Sequence, residues 1–133
     1  MKVKFKKLCP EAVIPTKGSE DAAAFDLVAT SSASIYGLTA IKYGTGLAME
    51  IPQGYAGFIF PRSSCYKAGM SLTNCVGVID SDYRGEISAV FRASDIEKIY
   101  NIGDRIAQII IMPVPKVEFI ESDTLSETKR GIS

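Results

Sequence analysis

The 133 residues are the length of one domain, and the 47% that are apolar suffice for one core but not two. Lys plus Arg equals Asp plus Glu, 15 of each, so the chain lacks the basic excess of a general nucleic-acid binder, and any phosphate site must be a local cluster. There is no histidine, which excludes Ser-His-Asp and Cys-His mechanisms and His-based zinc sites and leaves a carboxylate, Lys, Tyr or Cys as any general base.

Residues 3–8 alternate, with Val3 and Phe5 separated by lysines, and 25–29 form a short apolar stretch. Residues 41–51 hold small and apolar side chains around Gly44 and Gly46 and end at Pro52-Gln53-Gly54. Residues 55–60 are strongly β-prone and stop at Pro61. Only 63–69 look helical, with Ser63 or Ser64 as the cap and Gly69 as the end. Residues 77–86 read as a hairpin: apolar residues lead into a polar tip, and Gly85 leads into the next strand. Residues 86–92 alternate, with Ile87, Ala89 and Phe91 on one face and Ser88 and Val90 on the other. Residues 105–112 are an almost continuous apolar strand, followed by Pro113 and Pro115, and 117–120 read as one further strand. Short strands with frequent turn signals mean a sandwich or barrel. The polar residues 121–133 are expected to form a mobile tail.

Cys9, Cys65 and Cys75 are odd in number and include no Cys-x-x-Cys pair, so a reducing compartment is expected. The basic start lacks the apolar stretch of a signal peptide, and no apolar run is long enough to span a membrane. A soluble cytoplasmic protein is the expectation, with neither membrane nor nucleic acid as a partner.

Chemistry can sit in four places. At Pro61-Arg62-Ser63-Ser64, backbone N–H groups, two hydroxyls and a guanidinium converge, which suits phosphate oxygens. A plain capped surface turn is the commoner meaning of those residues alone. Asp80 stands where an apolar segment enters the polar tip, so it can be held rigidly, partly desolvated, and polarise a water as general base. Asp80 and Asp82 are equally ordinary turn formers. Gln108 is a lone amide in an apolar strand and binds either backbone or a ligand. Its neighbours Asp104 and Arg105 read as a surface pair of little weight. Asp26, in apolar surroundings, is either a strand-edge turn residue or a carboxylate serving a phosphate-bound magnesium through water.

Taken in order, these segments resemble the trimeric dUTPases, a family with five ordered motifs. Ala23-Ala24-Phe25-Asp26-Leu27 is similar to the first, with Phe25 in place of the more usual Tyr. Pro61-Arg62-Ser63-Ser64 with Gly69 resembles the second, with Arg-Ser-Ser where many members have Arg-Ser-Gly. Asn74 and residues 77–86 resemble the third, the most specific, and Gly103-Asp104-Arg105-Ile106-Ala107-Gln108 the fourth. Arg130-Gly131 resembles the start of the fifth, which in the family continues into a Gly-rich stretch with an aromatic residue. With the sequence ending at Ser133, that lid is expected to be incomplete.

The resemblance implies an all-β, jelly-roll-like barrel or sandwich (the dUTPase-like β-clip) with one short helix at most, over residues 1–120, followed by the tail. It implies a magnesium-dependent homotrimer that hydrolyses dUTP to dUMP and pyrophosphate at subunit interfaces. Asn74 and the backbone of Gly77, Val78 and Ile79 would hold uracil, and Tyr83 would pack under the deoxyribose. Arg62, Ser63, Ser64, Gln108 and Arg130 would bind phosphates, Asp26 would touch magnesium through water, and Asp80 would position the attacking water. Two alternatives stand beside this. The related dCTP deaminases share an Arg-Ser-Ser segment, but they need a glutamate where this chain has Ile87-Ser88-Ala89-Val90-Phe91. A non-catalytic binding module of the same fold would not require Asp26, Arg62, Asp80 and Gln108 together.

Overall fold

The computed structural model describes residues 1–35 and 39–132, apart from the side chain of Ile96; Ser133, the last residue of the expected tail, lies outside that range. The strands in chain order are β1 (Lys4–Lys7), β2 (Phe25–Val28), β3 (Ser31–Ile35), β4 (Ala40–Gly44), β5 (Leu47–Glu50), β6 (Tyr55–Pro61), β7 (Met70–Leu72), β8 (Gly77–Ile79), β9 (Ser88–Ala93) and β10 (Arg105–Pro113). They form two four-stranded sheets, β2-β10-β6-β8 and β3-β4-β9-β7, and a small β1-β5 pair. All pairings are antiparallel. The result is the expected jelly-roll-like β fold.

The alternation in β9 shows how sequence becomes layer. Ala89 and Phe91 point inward with Ile87 just ahead of them, while Ser88 and Val90 are only partly covered. Phe91 is fully buried and meets Tyr43 of β4 edge-to-face at 5.9 Å and Tyr100 at 5.7 Å. Burying one such ring contributes about 2–3 kcal/mol, and each edge-on contact about 1 kcal/mol more. Leu27, Ile59, Ile106, Ala107 and Ile109 close the core from the other sheet.

The single apolar stretch at 41–51 is divided between two sheets: β4 lies in a four-stranded sheet and β5 pairs with β1. The break falls at Thr45-Gly46. Gly46 has φ +68, and a Cβ there would lie 2.6 Å from Cys9 Sγ, so only glycine fits without strain. Thr45 is buried, and its hydroxyl donates to the Ile87 carbonyl at 2.6 Å, which satisfies it.

Where the sequence reads as a helix at 63–69, the structure has a 3-10 turn, Cys65–Ala68, entered at Ser64 and closed by Gly69 at φ 63. The Ser64 side chain makes no capping bond. A second 3-10 turn, Ile96–Lys98, is capped by Asp95, whose carboxylate accepts from Glu97 N–H at 3.0 Å.

Two expectations need correcting. Residues 77–86 are not a paired hairpin: β8 pairs with β6, and the chain then crosses to the other sheet as β9. A continuous pattern of apolar residue, tip and apolar residue does not say which neighbour each arm will take. Residues 117–120 are not a strand: Phe119 is 96% exposed, and among the described residues the segment pairs with no strand. Among the described residues, no helix is long and apolar enough to cross a membrane.

Candidate active site

Three adjacent strands bring the first cluster together. Asp26 on β2 stands opposite Gln108 on β10, and Gln108 stands opposite Phe60 on β6. Arg62, immediately after β6, lays its Nε 3.4 Å from Asp26 Oδ1, and Arg105 lays Nη1 3.7 Å from Oδ2. Arg62 also donates to the Arg105 carbonyl at 3.2 Å. The Gln108 amide donates to the Pro61 carbonyl at 3.0 Å, so within this chain its partner is backbone. The Asp26 side chain is 14% exposed and carries two guanidiniums, one of them more than half exposed. These contacts are long for charge-assisted bonds, so the guanidiniums keep donors available to an arriving anion.

Arg105 was expected to pair with Asp104 at the surface, and it does not. Asp104 instead accepts from Asn101 N–H at 2.7 Å, which closes the turn before β10. The register of β10 against β2 shifts between Arg105 and Ala107, and this irregularity accompanies the placing of Arg105 beside Asp26. Alternation alone does not reveal such a shift.

Ser63 is exposed and Ser64 half-buried at the mouth of the 3-10 turn. Cys65 is buried behind them, with its thiol donating to the Met70 carbonyl at 3.0 Å, and burial pushes that thiol's pKa up. Beneath the turn lies Tyr100. Its phenol pKa is also raised, by burial first and then by Cys65, while Ser64 and Arg62 act in the opposite direction.

The second cluster surrounds β8, an edge strand that is paired on one side only, by β6. Its other edge faces two small clefts. One, of about 280 Å³, is lined by Asn74, Gly77 and Ser88 among others. The other, of about 130 Å³, is lined by Val78, Ile79, Asp80, Tyr83, Glu86 and Ser88. A free strand edge offers alternating N–H and C=O groups, which is what a planar, hydrogen-bonding base requires. Asp80 is exposed rather than desolvated in the single chain; its carbonyl accepts from Tyr83 N–H at 3.1 Å to form the turn. The Tyr83 hydroxyl donates to the Glu86 carbonyl at 2.9 Å, folding the ring back over Gly85.

The two clusters do not meet within one chain. Asp80 follows Ile79, which is opposite Gly57, whereas Asp26 lies level with Phe60. With β2 and β8 at opposite edges of the sheet, the offset is about 14 Å across and about 13 Å along the strands. Arg130 sits in the exposed, strand-free segment that follows β10. Among the described residues no three acidic or cysteine side chains gather to hold a metal ion. Asp26 as a lone carboxylate therefore fits an ion that brings most of its oxygen ligands with a triphosphate, and does not fit one held by protein alone.

A family model described as dUTPase matches residues 10–133. The chain belongs to the dUTPase family. The deoxyuridine 5'-triphosphate nucleotidohydrolase of Tropheryma whipplei (strain Twist) is 46% identical over 122 residues, covering 90% of this chain and 84% of its own length. The enzyme of the same name from Nautilia profundicola is 44% identical over 137 residues, covering 98% and 94%. Among solved structures, a Staphylococcus bacteriophage 80alpha dUTPase variant with dUpNHpp superposes with TM-score 0.84 at 20% identity, covering 99% of this chain and 95% of that one. A variant dUTPase from phage phi11 of S. aureus, described as coordinating a structural Mg(II) ion, gives 0.79 at 19% identity over 93% and 98%. At that identity the structural likeness speaks for the fold. Sequence reasoning set Arg105 aside as a surface charge, whereas the structure places it beside Asp26.

Proposed function

We propose that this chain is a dUTP diphosphatase that hydrolyses dUTP to dUMP and pyrophosphate, at sites built between the chains of a homotrimer. The observation that carries the reading, in a member of the dUTPase family, is the separation of two complementary half-sites within one chain. A general base works only within hydrogen-bond reach of its water. With Asp80 so far from Arg62 and Asp26, neighbouring chains must supply the two halves of each site.

In this reading the free edge of β8 and Asn74 bind uracil. Cytosine would leave buried donors and acceptors unpaired, which is the strong kind of discrimination. Tyr83, held down on Gly85, packs under the deoxyribose and leaves no room for a 2′-hydroxyl. Arg62, Ser63, Ser64 and Gln108 hold phosphate oxygens, and Arg130 joins them from the segment 121–133, a tail that closes over the site. Asp80 takes a proton from the water whose oxygen attacks the α-phosphorus. The bond from that phosphorus to the bridging oxygen then breaks, and pyrophosphate leaves. The guanidiniums stabilise its charge. Magnesium, bound to the triphosphate and touching Asp26 through water, would add charge neutralisation there. Such an enzyme belongs in the cytoplasm, where dUTP is removed and dUMP supplied.

Pyrophosphate release from dUTP, beside dCTP, UTP and dTTP, tests the reaction. Release from dUTP alone is expected, and ammonia release from dCTP would overturn the reading in favour of a deaminase. Light scattering should report the mass of about three chains, and a monomer that turned over dUTP would overturn the shared site.

A further inference from the structure

Asp80 and Tyr83 stand on the four-residue turn that follows β8, closed by Tyr83 N–H donating to the Asp80 carbonyl at 3.1 Å. Among the described residues no hydrogen bond or ion pair holds the Asp80 carboxylate, so its place is set by the backbone of this turn. The carbonyls of Ser81 and Tyr83, which that backbone bond leaves over, are both taken by one guanidinium. Arg84 Nη1 donates to the Ser81 carbonyl at 2.6 Å and to the Tyr83 carbonyl at 3.3 Å. Its Nη2 reaches out of the turn to Glu50 Oε1 on β5 at 3.5 Å, and Glu50 Oε2 lies 3.9 Å from Lys4 Nζ on β1. Arg84 does not line the cleft that holds Val78, Asp80 and Tyr83; with Glu50, Ser81 and Asp82 it lines a separate depression. The guanidinium thus fastens the turn to the β1-β5 pair from outside the cleft. Its ion pair with Glu50 joins two half-exposed side chains, and such pairs add little to stability. What the arrangement supplies is direction.

We propose that Arg84 is a positioning residue for the reaction: by gripping the Ser81 carbonyl and resting against Glu50, it holds the turn so that Asp80 stays within reach of the attacking water. This rests on the dUTP hydrolase reading above, in which Asp80 takes the proton of that water. Arg84 acts through the turn and not on the substrate. An exposed turn with one backbone bond can swing, and a misplacement of about 1 Å at a reacting group can cost about 100-fold in rate. A planar guanidinium suits the task, since its fixed fork reaches a carbonyl on one side and a carboxylate on the other. Tyr83 is fastened differently, by its hydroxyl donating to the Glu86 carbonyl at 2.9 Å. The two functional side chains of one turn therefore have separate restraints, which distinguishes a displaced Asp80 from a turn that has melted.

The test is Arg84→Met, which keeps an unbranched side chain and removes the donors, alone and combined with Asp80→Asn, in the full chain. Arg84→Met should melt close to the parent, as befits a half-exposed pair. It should lower kcat for dUTP about tenfold, while binding of the imido analogue of dUTP and the preference for dUTP over UTP stay within about twofold. In the Asp80→Asn background it should cause no further loss in single-turnover hydrolysis, because Asp80 is the group it places. Glu50→Gln, which frees the guanidinium without removing it, should show a smaller loss of the same kind, about twofold. An unchanged kcat in Arg84→Met overturns the proposal, and so does an equal loss in the Asp80→Asn background. A fall in analogue binding or sugar preference alongside kcat would make Arg84 merely structural and overturn it too. If Arg84→Met fails to fold, Glu50→Gln decides, and an unchanged kcat there overturns the proposal. A parent chain that turns over no dUTP would instead overturn the functional reading, and this proposal with it.

Discussion

The two edges of the β2-β10-β6-β8 sheet are finished to different degrees. At the β2 edge, Asp26, Arg62, Arg105 and Gln108 all have partners inside the chain, and the cluster is half-buried. At the β8 edge the strand is unpaired on one side, and Asp80 and Tyr83 are exposed beside open clefts. At the first edge each named side chain already has a partner, with one guanidinium charge in excess of the single carboxylate; the second edge is uncovered. In the proposed reading, the cluster that would position phosphates is held by its own chain, because unpartnered buried charges are costly, and the edge that would bind the base stays open until a base and a neighbouring chain close it.

Substitutions at the two edges should differ in kind. The largest effect is expected at the open edge. Asp80→Asn keeps the shape but cannot take the proton, so kcat should fall about 10²- to 10⁴-fold, with fold and analogue binding retained. Steady-state pyrophosphate release beside analogue titration would detect this, and a rate within a few-fold of the parent would make Asp80 a plain turn residue. At the paired edge, Asp26→Asn removes the charge shared by two guanidiniums. Activity should fall about tenfold to a hundredfold, the range of one charge-assisted bond. Melting should change little, because the Arg105 pair is more than half exposed. Calorimetry would contradict the comparison if Asp26→Asn unfolded the chain outright.

Smaller effects return to the open edge. Tyr83→Ala should shrink the preference for dUTP over UTP about tenfold, measured as the ratio of kcat/KM values. Gly85→Ala should give a weaker version of the same change. A Cβ there would sit 2.6 Å from Tyr83 Cζ, so the ring must lift and lose its bond to the Glu86 carbonyl. If Gly85→Ala left the selectivity unchanged while Tyr83→Ala altered it, the ring's resting position would be irrelevant to sugar choice.

Much of this was legible in the residues. The strict alternation of 86–92 reads directly as the buried and covered faces of β9, and Gly69 ends its turn as expected. Asp26, Arg62 and Gln108 were singled out, and they do converge. Register was not legible. The hairpin pattern at 77–86 hid the fact that its arms join different sheets, because β8 finds its partner at the distant β6. The register shift near Arg105 concealed a charge that pairs with Asp26. Polar strands such as β3, with three serines, carry almost no periodic signal and form because β4 is there to pair with. Residues 117–120 show the reverse: strong β character, but among the described residues they pair with no strand.

The central claim is that one reaction centre takes Asp80 from one chain and Arg62 with Asp26 from another. It is tested most directly by mixing two inactive variants, Asp80→Asn and Arg62→Ala, unfolding them together and refolding. Random assortment into shared sites should restore about a quarter of the parent rate of pyrophosphate release from dUTP, since each half-site then has an even chance of being intact. A mixture that assembles with the parent's mass yet stays as inactive as its components would place both residues in the same half-site and contradict the account.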